Sequence, residues 1–400
     1  MPADVLTRKL EGFGTTIFAE MSALAVATGS INLGQGFPDT DGPPEVLEAA
    51  VEAIRAGVNQ YPPGPGDPDL RRAIAEHQRR WYGLEVDPET EVVVTAGATE
   101  ALAGALLGML DPGDEVVLLE PMYDSYRAGI ALASAVPVPV LLTPGDDGRW
   151  RFDEAELRGA IGERTKLILL NTPHNPTGKV LDRDELALVA EVAIEHDLVV
   201  VTDEVYEHLV FDGEHVPLAT LPGMRERTLT ISSGGKTFRT TGWKIGWMSG
   251  PAELVTAAKL AKQFLTYVNG APFQPAIATG LRLGDDYFRE LVDELRTARD
   301  RLTEGLRAAG FTTYPPEASY FVTVDVRSVR SDGDGTAFCR ELPELAGVVA
   351  VPASAFYAHP EAGRHLVRFA CCKRPEVIDE AVERLVAAFA PGGVPAGAAS

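Results

Sequence analysis

The sequence predicts an α/β fold: a large unit on a mostly parallel β-sheet covered by helices on both faces, joined to a smaller α+β unit. Three observations carry this. From residue 69 onward, segments with helical spacing alternate with short runs rich in Val, Ile and Leu. Those runs, such as Lys166–Asn171 and Leu198–Thr202, are apolar at successive positions, so both of their faces need cover. The 400 residues, 45% hydrophobic and 24% charged, suffice for two such units with a large core.

In chain order, residues 1–30 read as an arm with one helix, Thr16–Thr28, followed by an extended segment from Ile31 that turns at Gly34 and Gly36. Pro43–Gly57 has proline at its start and glycine at its end, as a helix does. Asn59–Pro68, rich in Pro and Gly, is a loop. Then come a helix Leu70–Tyr82, a strand Glu91–Thr95, a helix Thr99–Leu110, a strand Glu115–Leu119, a helix Tyr123–Ala133 and an extended Val136–Leu142. Strand Lys166–Asn171, helix Arg183–His196 and strands Leu198–Thr202, Thr228–Ser232 and Ile245–Ser249 complete the alternating region. Residues 251–310 are dominated by helices. Tyr320–Val326, Gly347–Val351 and His365–Ala370 read as strands and Pro375–Phe389 as a helix. The expected division is 1–40 for the arm and part of the small unit, 41–285 for the large unit, 286–390 for the small unit, and 391–400 for a disordered Pro/Gly tail.

Lys+Arg number 36 and Asp+Glu 58, a formal net charge of −22, which disfavours nucleic acid and anionic membrane as partners. The three cysteines, Cys339, Cys371 and Cys372, imply no disulfide framework and read as buried thiols. The start, Met1-Pro2-Ala3-Asp4, lacks the basic and apolar segments of a signal peptide. The apolar stretch Ala131–Leu142 is interrupted by prolines and too short to span a bilayer. A soluble, cytoplasmic protein is expected, with no metal site.

The chemistry concentrates in a few places. Lys236 sits in Ser232-Ser233-Gly234-Gly235-Lys236-Thr237, where two glycines allow close backbone approach and unusual dihedrals. Asp203 closes an apolar strand, at the end where open α/β sheets bind ligands. Tyr206 lies three residues on, and Asn175 follows another strand in Asn175-Pro176-Thr177-Gly178. Thr95-Ala96-Gly97-Ala98-Thr99 joins a strand to a helix, so Gly97, Ala98 and Thr99 can offer N–H groups to a phosphate, with Ser233 adding a hydroxyl and Lys244 a charge. Tyr123, after another strand end, can stack on a flat ring. Arg368, on a strand of the small unit, can hold a carboxylate bidentately, and Gly36 brings backbone close. Taken singly, each has an ordinary reading: Lys236 and Lys244 as surface lysines, Asp203 as a helix cap, Asn-Pro-x-Gly as a turn, Tyr123 as core, Arg368 as a surface group. Gly34-x-Gly36 lacks the third glycine and the βαβ setting of a dinucleotide site. Together these groups are what pyridoxal 5'-phosphate (PLP) needs: an amine to form an imine with its aldehyde, a carboxylate to keep its pyridine nitrogen protonated, donors to its phenolic oxygen and a phosphate cradle.

With these motifs the chain resembles the fold-type-I, class I/II PLP-dependent aminotransferases from about Gly14 to Ala388. Residues 32–39, 235–238 and 241–247 resemble the kynurenine, glutamine and methionine aminotransferase subgroup. Residues 14–22, 59–66 and 270–276 look like actinobacterial proteins assigned as N-succinyldiaminopimelate aminotransferases. The resemblance implies a large domain with a seven-stranded sheet, a small α+β domain, and ping-pong transfer of an amino group between an amino acid and a 2-oxo acid. N-Succinyl-LL-2,6-diaminopimelate and 2-oxoglutarate are the suggested pair. Kynurenine, glutamine or methionine transamination, or cysteine-conjugate β-lysis, is the alternative. It implies that Lys236 is catalytic. Gly97, Ala98, Thr99, Tyr123, Asn175, Asp203, Tyr206, Ser233 and Lys244 would hold the cofactor, and Gly36, Asn175 and Arg368 the substrate carboxylate. It also implies a homodimer in which Tyr61 reaches the partner's phosphate. Many aminotransferases carry arginine where this chain has Lys244, which forgoes bidentate phosphate geometry. A distal carboxylate would need another cation, Arg239 or Lys262. A regulator fused to a DNA-binding helix-turn-helix is disfavoured by charge and length.

Overall fold

The structure, a computed structural model, describes residues 7–390. Seven strands form its central sheet: β1 (Val92–Ala96), β2 (Glu115–Glu120), β3 (Val136–Leu141), β4 (Thr165–Asn171), β5 (Val199–Asp203), β6 (Thr228–Ser233) and β7 (Ile245–Ser249). Their order is β1-β7-β6-β5-β4-β2-β3. All neighbours run parallel except β7, which is antiparallel to both β1 and β6. The contiguous apolar runs are explained by burial on both faces. Along β2, Val116 and Leu118 enter one core while Val117 and Leu119 enter the other.

Helices cover the two faces. α4 (Gly97–Met109) and α7 (Ala252–Lys262) pack together over one face, with Ala101, Ala105, Val255 and Ala258 against Leu169, Val201 and Ile231. The small residues let the two helices approach closely. A Cβ at Gly108 would lie 2.3 Å from the Ala257 carbonyl oxygen. On the other face α6 (Arg183–Glu195) buries Leu186, Val189 and Val192 against Ile168, Leu170 and Val200. Asp182 caps it, and Glu185 completes a reciprocal capping box. At the β1 edge, α2 (Pro44–Arg55), α3 (Pro68–Tyr82) and α8 (Phe273–Leu281) enclose Val92, Val94 and Trp247. α5 (Asp124–Leu132) follows β2 and contributes Tyr126 and Ile130 to the core.

A second sheet of four strands, Thr312–Tyr314, Phe321–Asp325, Leu366–Ala370 and Val351–Pro352 in spatial order, is antiparallel throughout. It packs with α9 (Asp285–Ala308), α10 (Gly335–Ala346) and α11 (Pro375–Phe389). The arm helix α1 (Ile17–Thr28) lies on α10, and Ile31–Asn32 pairs in parallel with Val348–Val349. The expected single strand Gly347–Val351 is corrected. Gly347 is the left-handed C-cap of α10, and Val348–Val349 and Val351–Pro352 belong to different sheets. The strand Thr312–Tyr314, too short for a periodic signal, was not anticipated. The predicted disordered tail lies outside the described residues. All three cysteines are buried and free, and no helix among the described residues is long and apolar enough to cross a membrane.

The start of α4 is set by backbone contact. A Cβ at Gly246 of β7 would sit 2.5 Å from the carbonyl carbon of Gly97 and 2.7 Å from the nitrogen of Ala98. Gly246→Ala is therefore expected to push α4 off β7 and lower stability by about 1–3 kcal/mol, the usual cost of overpacking. Urea unfolding checks this, and an unchanged midpoint would mean that the contact is slack.

Candidate active site

Four parallel strands deliver their carboxyl ends to one place. β2 leads to Tyr123, β4 ends at Asn171, β5 at Asp203 and β6 at Ser233, while α4 begins beside them at Gly97. Here a cavity of about 390 Å³ is lined by Gly36, Gly97, Ala98, Thr99, Tyr123, Asn175, Asp203, Tyr206, Ser233, Lys236, Lys244 and Arg368. The sequence had singled out these twelve; Tyr126, Asn171 and Phe321, which also line the cavity, it had not.

Parallel pairing of β4 with β5 puts Asn171 opposite Asp203. The Asn171 amide donates to the carbonyls of Asp203 (2.8 Å) and Pro173 (3.1 Å), and its oxygen accepts from the N–H of Asn175 at 2.8 Å. Asp203 is buried, and the Tyr126 hydroxyl donates to its Oδ2 at 2.7 Å. Burial pushes the carboxyl up to about 6, against the opposing effect of that hydroxyl.

Lys236 lies in a single helical turn, Gly234–Thr237, directly after β6. Gly234 and Gly235 both have negative φ or extended backbone rather than left-handed conformations. They are small because of what they touch: a Cβ at Gly234 would meet Ile277 Cδ1 at 2.7 Å, and one at Gly235 the Thr241 Cα at 3.2 Å. The Lys236 amine donates to the Gly36 carbonyl at 3.3 Å, and the Tyr320 hydroxyl donates to the same oxygen at 2.7 Å. Desolvation lowers the amine to about 8. The Arg368 charge acts in the same direction and the Asp203 charge against it. Tyr206 is buried, and burial raises its hydroxyl. Burial likewise raises Tyr123 to about 12.

The first turn of α4 has no side-chain cap, which leaves its N–H groups without an intrahelical partner, and Gly97, Ala98 and Thr99 line the cavity. Gly97 is left-handed (φ 72°), and the Lys244 ammonium lies 3.1 Å from where its Cβ would be. A helix start, a lysine and the Ser233 hydroxyl make an anion cradle.

Arg368 forms the opposite wall. It is 1% exposed. It donates to Asn175 Oδ1 (2.9 Å) and to the Gly34 carbonyl (3.0 Å), and its guanidinium lies 3.9 Å from the Phe321 ring centre. Its buried Nε has no partner. Burial lowers its pKa to about 10, so it stays charged at neutral pH. Gly36 must be glycine: a Cβ there would lie 2.4 Å from Phe321 Cζ.

Three candidates lie elsewhere. Tyr61 is 82% exposed, edge-on to Tyr267 with ring centres 5.7 Å apart. Arg239 faces a neighbouring cavity and pairs with Glu294 at 2.5 Å. Lys262 is buried and donates to the Tyr267 carbonyl at 2.5 Å. Neither cation lines this cavity, although the one that Arg239 faces shares Lys236 with it. Sequence reasoning missed Tyr126, Asn171 and Tyr320. Tyr126 was detectable as the aromatic three residues after Tyr123, in the first turn of α5. His77, Glu207 and His208 bring ligand-type atoms within 4.8 Å of one another. Those atoms are already partnered: the imidazoles with each other at 2.6 Å, the carboxylate with two hydroxyls.

The residues fit PLP in kind and placement: an amine with lowered pKa, a buried carboxylate, a phenol, an aromatic wall, an anion cradle and a guanidinium with a free donor.

The family model described as aminotransferase class I and II matches residues 28–385. A Mycobacterium tuberculosis protein named "Probable N-succinyldiaminopimelate aminotransferase" is 54% identical over 94% of this chain and 97% of its own length. An Escherichia coli methionine aminotransferase is 39% identical over 94% of this chain and 97% of its own. A solved structure of N-succinyldiaminopimelate aminotransferase from Mycobacterium tuberculosis superposes with a TM-score of 0.93 at 53% identity, over 96% of this chain and 99% of that one.

Asp203 yields a pH prediction for the ligand-free protein. Its folded value, about 6, exceeds the ordinary 3.8, so the native state binds the extra proton between those values. This group's contribution to stability therefore falls as pH rises through that window. Asp203→Asn removes the effect. Urea unfolding should show the variant gaining on the wild type by on the order of 2 kcal/mol from pH 4 to pH 7. A pH-independent difference would place the carboxyl at an ordinary value.

Proposed function

The chain belongs to the class I and II aminotransferases, and on that footing we propose that it holds PLP at Lys236 and moves amino groups between N-succinyl-LL-2,6-diaminopimelate and 2-oxoglutarate. The observation that carries this reading is one cavity holding the lowered Lys236 amine between the α4 anion cradle and the Arg368 guanidinium. Identity of 54% to the mycobacterial relative supports the N-succinyldiaminopimelate half of the pair.

Bound there, PLP supplies an electron sink for charge developing beside the substrate amine. The remaining work falls to the chain. Gly97, Ala98, Thr99, Ser233 and Lys244 would hold the phosphate, and Tyr123 would flank the ring. Asp203, fixed by Tyr126, would keep a proton on the pyridine nitrogen. Tyr206 and Asn175 would donate to the phenolic oxygen. The Lys236 Nζ, lowered to about 8, takes a proton and returns it near neutral pH. Arg368 offers its unpartnered Nε, and with Asn175 and the Gly36 backbone it orients the substrate α-carboxylate.

We assign the exposed Tyr61, Phe264 and Tyr267 to a homodimer contact, with Tyr61 reaching the partner's phosphate. Lys236, Lys244 and Arg368 are the cations lining the cavity, and each has a role in this scheme. Recognition of a distal carboxylate thus falls to the cavity rim or to the second copy. A methionine-type donor range is the second reading, favoured by the 39% identity to the methionine enzyme.

Borohydride reduction of the PLP-loaded protein followed by peptide mapping is expected to place the pyridoxyl group on Lys236, and Lys236→Ala to leave none. A label elsewhere rejects the assignment. In single turnovers, N-succinyl-LL-2,6-diaminopimelate and glutamate should bleach the visible band. The panel includes kynurenine, glutamine, methionine and a cysteine conjugate, the last scored for pyruvate release without an oxo acid. Arg368→Ala should raise the donor concentration required roughly 10- to 100-fold, the worth of charged hydrogen bonds. Bleaching by methionine alone would move the enzyme to the second reading.

A further inference from the structure

Glu207 is a buried carboxylate that the scheme above leaves without a role. One oxygen accepts from the Ser232 hydroxyl at 2.5 Å and the other from the Tyr82 hydroxyl at 2.6 Å. It therefore joins the segment after β5, the end of β6 and the end of α3. Two of these carry the cofactor groups: Tyr206 is its chain neighbour, and Ser232 precedes Ser233 and, four residues on, Lys236.

The backbone leaves a gap at this point. The β5–β6 ladder runs to Asp203 opposite Ile231 and closes with the Glu204 N–H on the Ile231 carbonyl at 2.8 Å. Beyond it, Ser232 and Ser233 pair with β7 on their other side. Among the described residues no backbone hydrogen bond ties Tyr206 to Ser232 or Ser233. The Glu207 carboxylate spans that gap.

A buried carboxylate without a cation is costly unless its lone pairs are used, and here the neighbourhood is built to use them. Two hydroxyls donate to it. Behind it His77 and His208 bond each other at 2.6 Å, and Trp81 and Phe288 pack on His208 at ring-centre distances of 4.9 and 4.5 Å. Glu204, in the same turn, faces His215 at 2.9 Å instead.

We infer that Glu207 is a positioning residue for PLP binding, clamping the Asp203–Tyr206 segment to the strand end that leads through Ser233 to Lys236. This rests on the assignment of the cavity to PLP. Trapping on wild-type Lys236 tests that assignment separately, so the two can fail independently.

The experiment uses Glu207→Ala, Glu207→Gln and Ser232→Ala. Gln keeps one acceptor and offers an amide to which a rotated hydroxyl can turn its lone pair. For Glu207→Ala, the PLP dissociation constant should rise roughly tenfold, as when a supporting partner of a bound group is removed. The visible circular dichroism of the bound cofactor should weaken, and hydrogen exchange in segment 203–209 should quicken in the cofactor-free protein. Gln should restore affinity and dichroism to near wild type, and Ser232→Ala should weaken binding in the same sense. Glu207→Ala that folds and binds PLP as wild type overturns the inference, as does Gln no better than Ala. If Glu207→Ala fails to fold, Ser232→Ala decides: unchanged affinity and dichroism reject the clamp.

Discussion

Arg368 is the constraint around which the site is arranged. A guanidinium 1% exposed, with no carboxylate bonded to it among the described residues, carries a solvation penalty of several kcal/mol. The fold offsets it with oxygens and ring faces in place of an anion. Asn175 comes from the loop after β4, Gly34 from the arm, and Phe321 from the strand beside its own. One cation thus fixes three segments distant in sequence. Neutral dipoles, and no bonded opposite charge, hold it, so its field is not cancelled where it lines the cavity.

The surface has the opposite character. The chain carries a net charge of −22, yet the cavity is lined by three cations. At physiological salt, surface charges are screened beyond about 8 Å, while interior groups are screened much less. The two electrostatic scales are therefore nearly independent. Net charge speaks to polyanionic partners, and the walled pocket decides which small anion binds.

Much of this was legible in the sequence because it depends on strand ends. Apolar runs mark the parallel strands, and a polar residue closing one, such as Asp203, marks the ligand face. The cradle at Gly97 was legible as a glycine between strand and helix. Contacts that depend on tertiary register were not. Tyr126 reads as a helix residue until α5 is laid beside β5, and Asn171 as a strand end until β4 pairs with β5. Gly234 and Gly235 were legible as points of close approach, but that Ile277 and Thr241 are what approach them was not. Arg239 and Lys262 have the right charge, but Glu294 and the Tyr267 carbonyl hold them elsewhere. The break at Ala350 was hidden because two short strands of different sheets share one apolar run.

The pairing of Ile31–Asn32 with Val348–Val349 has a consequence for how the molecule is made. Gly34 and Gly36, which touch Arg368 and Lys236, are anchored to a strand more than three hundred residues downstream. A ribosome has emitted the central sheet and its lysine long before residues 348–370 exist. During that interval the arm has no groove to occupy and the amine has no carbonyl to rest on. Non-local closure of this kind comes late in folding, so the emerging polypeptide holds Lys236 unhoused until residues 348–370 have been made.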